Sequence, residues 1–102
     1  MRKTFPLRAP GQADARVLEA VKHDIRKYLK RERRKTLPEG FTAWEFDCKV
    51  GPTAESATSV AADDVVAALD PIASSGADSV YVEILARAGQ RPARTETRPE
   101  PQ

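Results

Sequence analysis

The side chains of this sequence that could act on a ligand are mostly cationic, and they lie in one short segment. Between Lys22 and Lys35 eight of fourteen residues are Lys or Arg, and only Asp24 and Glu32 are acidic. Several cations on one helical face can displace counterions from a nucleic-acid backbone. One or two would be enough to complement a helix dipole, which is the alternative role. The segment predicts a phosphate-binding surface made of Lys22, Arg26, Lys27, Lys30, Arg31, Arg33, Arg34 and Lys35.

No combination of residues predicts catalysis or a metal site. A nucleophilic cysteine needs an exposed, electropositive environment, whereas Cys48 alternates in phase with Trp44 and Phe46, which predicts a buried thiol and a core tryptophan. His23 is expected at the surface, and one Cys with one His is too few for zinc. No segment matches a Walker or dinucleotide-binding loop. We therefore predict no enzyme activity, no cofactor and no metal.

Three carboxylates, those of Glu45, Asp47 and Glu83, are expected together on the outer face of a sheet. They could bind a divalent ion or a basic segment, but solvated strand positions are the more common role of such residues. Lys3 or Lys49 could offset part of their charge. A fold that stacks RNA bases on sheet aromatics is not expected, because this face offers a single tyrosine. Nucleic acid would therefore bind the helix.

Charge is separated along the chain. Residues 1–35 carry 12 basic and 4 acidic side chains, whereas residues 36–86 carry one base against nine acids. The net charge of +2 therefore conceals a basic first third and an acidic middle. Such a separation is evidence about partners rather than about chemistry.

Length and composition predict one domain. A chain of 102 residues holds one core. From residue 89 onward there are three Pro and no aliphatic side chain larger than Ala, so we predict a domain over residues 1–88 and a disordered tail over 89–102. One Cys suits a reducing compartment, and no apolar run approaches the length of a membrane span. The prediction is a cytoplasmic protein without membrane contact.

The basic segment lies on a predicted long amphipathic helix over residues 13–34. Its apolar residues fall within an arc of roughly 120° and are Val17, Leu18, Val21, Ile25, Tyr28 and Leu29. The residues expected on the opposite arc are Arg16, Lys22, His23, Arg26, Lys30, Arg33 and Arg34. Asp14 or Gln12 could cap the start.

Strands are predicted from alternation over residues 43–50 and 79–86, with a shorter strand over residues 3–7 whose Pro6 suggests a sheet edge. Residues 57–61 could pair back as a hairpin or belong to a second helix, for which Asp63 is a good N-cap. With the hairpin, the order is β-α-β-β-α-β, the ferredoxin-like pattern. Without it, the order is β-α-β-α-β, and both orders give a two-layer α+β sandwich.

Four segments carry a resemblance: AVKHDIRKYLKRERRKTLPEG, FDCKVGPT, VYVEILA and, at the start, KTFPL. They resemble a family of small bacterial proteins of about this length whose function is unknown. The resemblance covers nearly the whole chain up to Ala88. It implies one compact bacterial domain, and it implies no activity, ligand or catalytic residue.

Two functions are consistent with these patterns. The first is binding of nucleic acid, RNA more than DNA, through phosphate contacts that would be largely independent of sequence, because nothing resembles a helix arranged to read base edges. The second is a protein-interaction module whose basic helix docks on an acidic partner or on another copy of the chain.

Overall fold

The computed structural model describes residues 1–89, and its elements follow the order β-α-β-β-α-β. They are β1 (Arg2–Pro6), α1 (Asp14–Arg33), β2 (Ala43–Gly51), β3 (Thr58–Val60), a 3-10 turn (Ala62–Asp64), α2 (Val65–Ser74) and β4 (Ser79–Gly89). The segment left open in the sequence, residues 57–61, contains the strand β3. The predicted disordered tail lies outside the described residues, except for Gly89, which ends β4.

The four strands form one sheet in the order β1-β4-β2-β3, and each neighbouring pair is antiparallel. This order does not confirm a ferredoxin-like arrangement, which has its first and third strands at the centre. Here β2 and β4 are central and β1 is at the edge, as Pro6 predicts, because a proline cannot donate to a further strand.

Both helices pack on the same face of the sheet, so the predicted two-layer α+β sandwich is confirmed. Fully buried side chains of the core are Ile25 from α1, Val65 and Leu69 from α2, and Val80, Val82 and Ile84 from β4. Phe5, Leu7 and Cys48 are also buried, as the alternation predicts. The other face of the sheet carries the remaining residues of each strand and no helix of the described chain.

At one end, β2 and β4 extend beyond their other partners as a two-stranded ribbon. β1 reaches only Glu83 and β3 only Cys48, whereas β2 and β4 stay paired as far as Ala43 and Gly89. The prediction of Trp44 in the core is therefore wrong. Its ring is half-buried in the ribbon, and its indole N–H donates to the Lys35 carbonyl at 2.9 Å.

The helix ends differ from the prediction in their caps. α1 begins and ends within one residue of the predicted bounds, but the N-cap residue is Ala13, so neither Asp14 nor Gln12 has that role. Asp63 lies in the 3-10 turn before α2 and is not its N-cap. α2 passes through Pro71 to Ser74, three residues beyond the proline.

Candidate nucleic-acid interface

The cations predicted to bind phosphate point from α1 in three directions. Lys22, Arg26 and Arg33 line a groove beside α2, which we call the α1–α2 groove. Lys27 and Arg31 line a cleft beside β1, the β1–α1 cleft. Lys30 and Arg34 lie roughly opposite the buried stripe and are exposed, and Lys35 follows the last turn. The structure therefore divides the predicted phosphate-binding surface into three parts: the α1–α2 groove, the β1–α1 cleft and the exposed side of α1.

Lys22 and Arg33 are not on the arc opposite the apolar stripe. Helical geometry places them roughly 80–100° from the centre of the stripe, on the flank where α2 packs. Lys22 Nζ lies 2.6 Å from Asp70 Oδ1 and 3.6 Å from a Glu19 carboxylate oxygen, and Arg33 lies 3.5 Å from Asp63. The hydrogen bond to Asp70 raises the pKa of Lys22. Both cations are thus paired with carboxylates of the domain, Lys22 more closely than Arg33.

Lys35 is also paired, with a residue that sequence reasoning overlooked. Glu32 lies inside the buried stripe at 8% exposure, and its carboxylate is 2.8 Å from Lys35 Nζ. The signal was present, since Glu32 follows Ile25 by seven residues and Leu29 by three, in phase with the apolar positions.

The other five predicted cations are exposed, and none forms an ion pair within 4.0 Å with a carboxylate of residues 1–89. We call this set the cation face; it consists of Arg26, Lys27, Lys30, Arg31 and Arg34. They span an arc of roughly 140° centred opposite the buried stripe. The face is convex at Lys30 and Arg34 and becomes concave where Lys27 and Arg31 meet β1.

The β1–α1 cleft contains a cation that was not predicted as a site residue. Lys3 lines it together with Lys27 and Arg31, and the cleft has a volume of about 240 Å³. Lys3 alternates in phase with the buried Phe5, so it faces the helix layer at the sheet edge, and its ammonium lies 4.9 Å from the Phe5 ring centre. It does not offset the carboxylates of the other sheet face.

Two further groups complete the wall of this cleft. The Tyr28 ring lies 5.5 Å from the Arg31 guanidinium, and the Tyr28 hydroxyl is 3.5 Å from the Met1 amino nitrogen. That amino group also donates to the Ile84 carbonyl at 2.6 Å. The carboxylate of Asp24 is the one acidic side chain lining the cleft among the described residues.

The open face of the sheet is not the acidic surface that the sequence suggested. Arg87 lies in β4 and forms ion pairs with Glu45 at 2.6 Å and Asp47 at 2.9 Å. Glu83 is paired with Arg2 at 3.3 Å. Within residues 1–89 no cluster of His, Cys, Asp and Glu is arranged to hold a metal ion. These carboxylates therefore form ion pairs between neighbouring strands of the sheet.

Cys48 and His23 lie in different environments. Cys48 is 4% exposed, which confirms the buried thiol. Burial raises the pKa of this thiol, and the Asp47 carboxylate adds to the rise. His23 is exposed on α1. The structure thus brings no nucleophile and base together at these two residues.

None of the helices described has the length and apolar character needed to cross a membrane.

Comparison with known sequences places the chain in a family. Residues 1–95 match the model of a family of unknown function, DUF6172, and the chain belongs to that family. This agrees with the resemblance carried by the four sequence segments. No curated protein and no solved structure matches the chain.

Proposed function

We propose that the protein binds nucleic acid, RNA more than DNA, through phosphate contacts of the cation face. The observation that carries this proposal is the absence of described carboxylate partners for five exposed cations in nine consecutive residues, 26–34. A cation without a partner meets a phosphate without first breaking an ion pair. Lys22, Arg33 and Lys35 must break one, so their contribution to binding is smaller.

The spacing of the cation face suits a charged strand. Arg26, Lys30 and Arg34 follow one another at intervals of four residues, so each is about 6 Å further along the helix axis. Like charges at this spacing destabilise an isolated helix, and a phosphate strand laid along the row would relieve that repulsion. Every phosphate that is neutralised releases condensed counterions, which makes such binding strong at low salt.

The proposed preference for RNA over a specific DNA site rests on the absence, from the cation face, of side chains that read base edges. Among its members are only Lys and Arg, and the neighbouring exposed positions hold no Asn or Gln arranged for base edges. Phosphate contacts position a nucleic acid but carry no sequence information. Double-stranded RNA is recognised largely by shape and phosphates, so the cation face fits folded RNA better than a defined DNA sequence.

The test is RNA binding measured by fluorescence anisotropy at increasing salt, with two matched triple variants. The first changes Arg26, Lys30 and Arg34 to Gln, which keeps a good helix former at each position. The second changes Arg2, Lys49 and Arg87 to Gln, which gives the same change of net charge on the open sheet face. Melting temperatures are measured to check that both variants are folded.

Only the first variant should lose affinity strongly, across unrelated RNA sequences. Each lost contact should lower the slope of log affinity against log salt by roughly 0.7–0.9. Equal losses in both variants would show that net charge alone is responsible. A wild-type protein that binds no RNA at ~50 mM salt, where screening is weak, would contradict the proposal and favour an acidic protein partner for the same helix.

A further inference from the structure

We propose that the β1–α1 cleft binds a terminal phosphate monoester, such as the 5′-phosphate of an RNA strand. This inference rests on the proposed function and names the part of the nucleic acid that the concave end of the cation face recognises. The observation that supports it is that three cations from two separate elements line one cleft: Lys3 on β1, and Lys27 and Arg31 on α1.

Charge in the cleft favours a dianion. Lys3, Lys27 and Arg31 form no ion pair within 4.0 Å with a described carboxylate, and Asp24 is the single acid of the lining. The side chains of the cleft therefore carry a net charge of +2, and the Met1 ammonium in its wall adds one more positive charge. A phosphate monoester carries roughly −1.5 to −2 at pH 7, whereas each phosphate of a nucleic-acid backbone carries −1.

Shape favours a chain end over an internal phosphate. A convex helix face can touch one phosphate with each side chain, but in the cleft Lys3 faces the helix from across the sheet edge, so several cations can surround one group. The volume of about 240 Å³ lies below the roughly 300–1,000 Å³ typical of sites for larger ligands. An internal phosphate is joined to the RNA strand on both sides, so two strand segments would have to leave the cleft. A terminal phosphate is joined to the strand on one side only.

Aromatic neighbours fix the cations of the cleft. The Arg31 guanidinium lies 5.5 Å from the Tyr28 ring centre and Lys3 lies 4.9 Å from that of Phe5, both within the range of cation–π attraction. The Tyr28 hydroxyl accepts from the Met1 amino group at 3.5 Å, so its own proton can be donated to a phosphate oxygen.

The larger α1–α2 groove is a weaker candidate for an anion. Its volume is about 510 Å³, and it also contains three cations. Two of these, Lys22 and Arg33, are paired with Asp70 and Asp63 of the same groove. Its lining therefore carries a net charge of +1, and an entering phosphate would compete with carboxylates already in place.

The experiment compares two RNA oligonucleotides of one sequence, with a 5′-phosphate or a 5′-hydroxyl. The wild-type protein should bind the phosphorylated strand about tenfold more tightly, the gain expected for one or more charge-assisted hydrogen bonds. Lys3→Gln should abolish this difference, since it removes a cleft cation without altering α1. The matched control Lys30→Gln should weaken the binding of both strands and keep the difference in affinity between them. Asp24→Asn should enlarge it.

Equal wild-type affinity for the two strands would overturn the cleft assignment while leaving the proposed function in place. A difference that survives Lys3→Gln would also overturn it. If neither strand binds, a nucleoside 5′-monophosphate is added and followed by NMR to distinguish the two proposals. Shifts at Tyr28 and Arg31 that vanish in Lys3→Gln would support a free mononucleotide as the source of the phosphate, and unchanged wild-type spectra would overturn the site.

Discussion

Lys22 Nζ lies 2.6 Å from Asp70 Oδ1, so a cation that the sequence pattern assigns to phosphate joins α1 to α2 instead. The Lys22 side chain is 12% exposed, while that of Asp70 is 55% exposed. A pair with one buried partner is better ordered than one between two solvated side chains. The basic segment of α1 thus has two roles, helix packing on one flank and an unpaired cationic surface elsewhere.

Removing this pair should affect stability more than binding. Lys22→Gln and Asp70→Asn should each lower the free energy of unfolding by up to about 1 kcal/mol, since Asp70 is largely solvated. The two effects should be non-additive in a double-mutant cycle. The control Lys30→Gln should not lower the free energy of unfolding, because it removes like-charge repulsion along α1, and it should lower the salt slope of RNA binding. A decrease of the slope in Lys22→Gln as large as that in Lys30→Gln would contradict the division of the α1 cations into paired and unpaired groups.

The pH dependence of this pair has a defined sign. The pKa of Lys22 is raised above its ordinary value of 10.5 by the hydrogen bond to Asp70. Its contribution to stability is therefore complete below pH 10.5 and is lost as pH rises through the higher pKa of the folded state. Alkaline unfolding of the wild type should show this loss, and that of Lys22→Gln should not.

Cys48 should be unreactive in the folded protein. Its side chain is 4% exposed, and burial raises the pKa of the thiol, so little thiolate is present at neutral pH. A thiol reagent should label it only after denaturant is added, at a rate set by opening of the sheet. The outcome against this prediction is rapid labelling of the native protein, which would mean that β2 is in a different register.

Tyr81 and Glu83 should titrate as partners on the open sheet face. The Tyr81 hydroxyl donates to a Glu83 oxygen at 2.8 Å, which lowers the pKa of Glu83 and raises that of Tyr81. The contribution of Glu83 is present above its ordinary pKa of 4.5 and is lost as pH falls through the lower folded value. Tyr81→Phe should raise the pKa of Glu83 in a carboxyl NMR titration. The control Thr4→Val, in the β1 residue paired with Tyr81, should leave that pKa unchanged.

Some of this architecture could be read from the sequence because it depends on local periodicity. Six apolar residues at helical spacing located α1 to within one residue at each end. The alternation around Cys48 and Val82 assigned the buried face of both central strands. In each case one element must hide one face from water, and that requirement is visible without its neighbours.

The parts that could not be predicted depend on which elements are neighbours. The alternation that buries Val80 and Val82 is the same whether β4 lies at an edge or, as found, between β1 and β2. The loss of Lys22 and Arg33 from the predicted surface requires α2 on that flank of α1. Lys3 joins Lys27 and Arg31 in the β1–α1 cleft only because β1, at the edge of the sheet, lies beside α1.

Glu32 provides a last test, because its carboxylate is paired with Lys35, so that a nucleic-acid phosphate must compete for this cation. Glu32→Gln preserves the shape of the buried side chain and removes the partner of Lys35. Lys35 then becomes a sixth cation available to RNA, so the slope of log affinity against log salt should increase by roughly 0.7–0.9. Glu39→Gln removes the same charge from an exposed loop and is the control. If the two variants change the slope equally, the effect is one of net charge; a steeper slope in Glu32→Gln alone would show that ion pairing within the domain decides which cations of α1 bind phosphate.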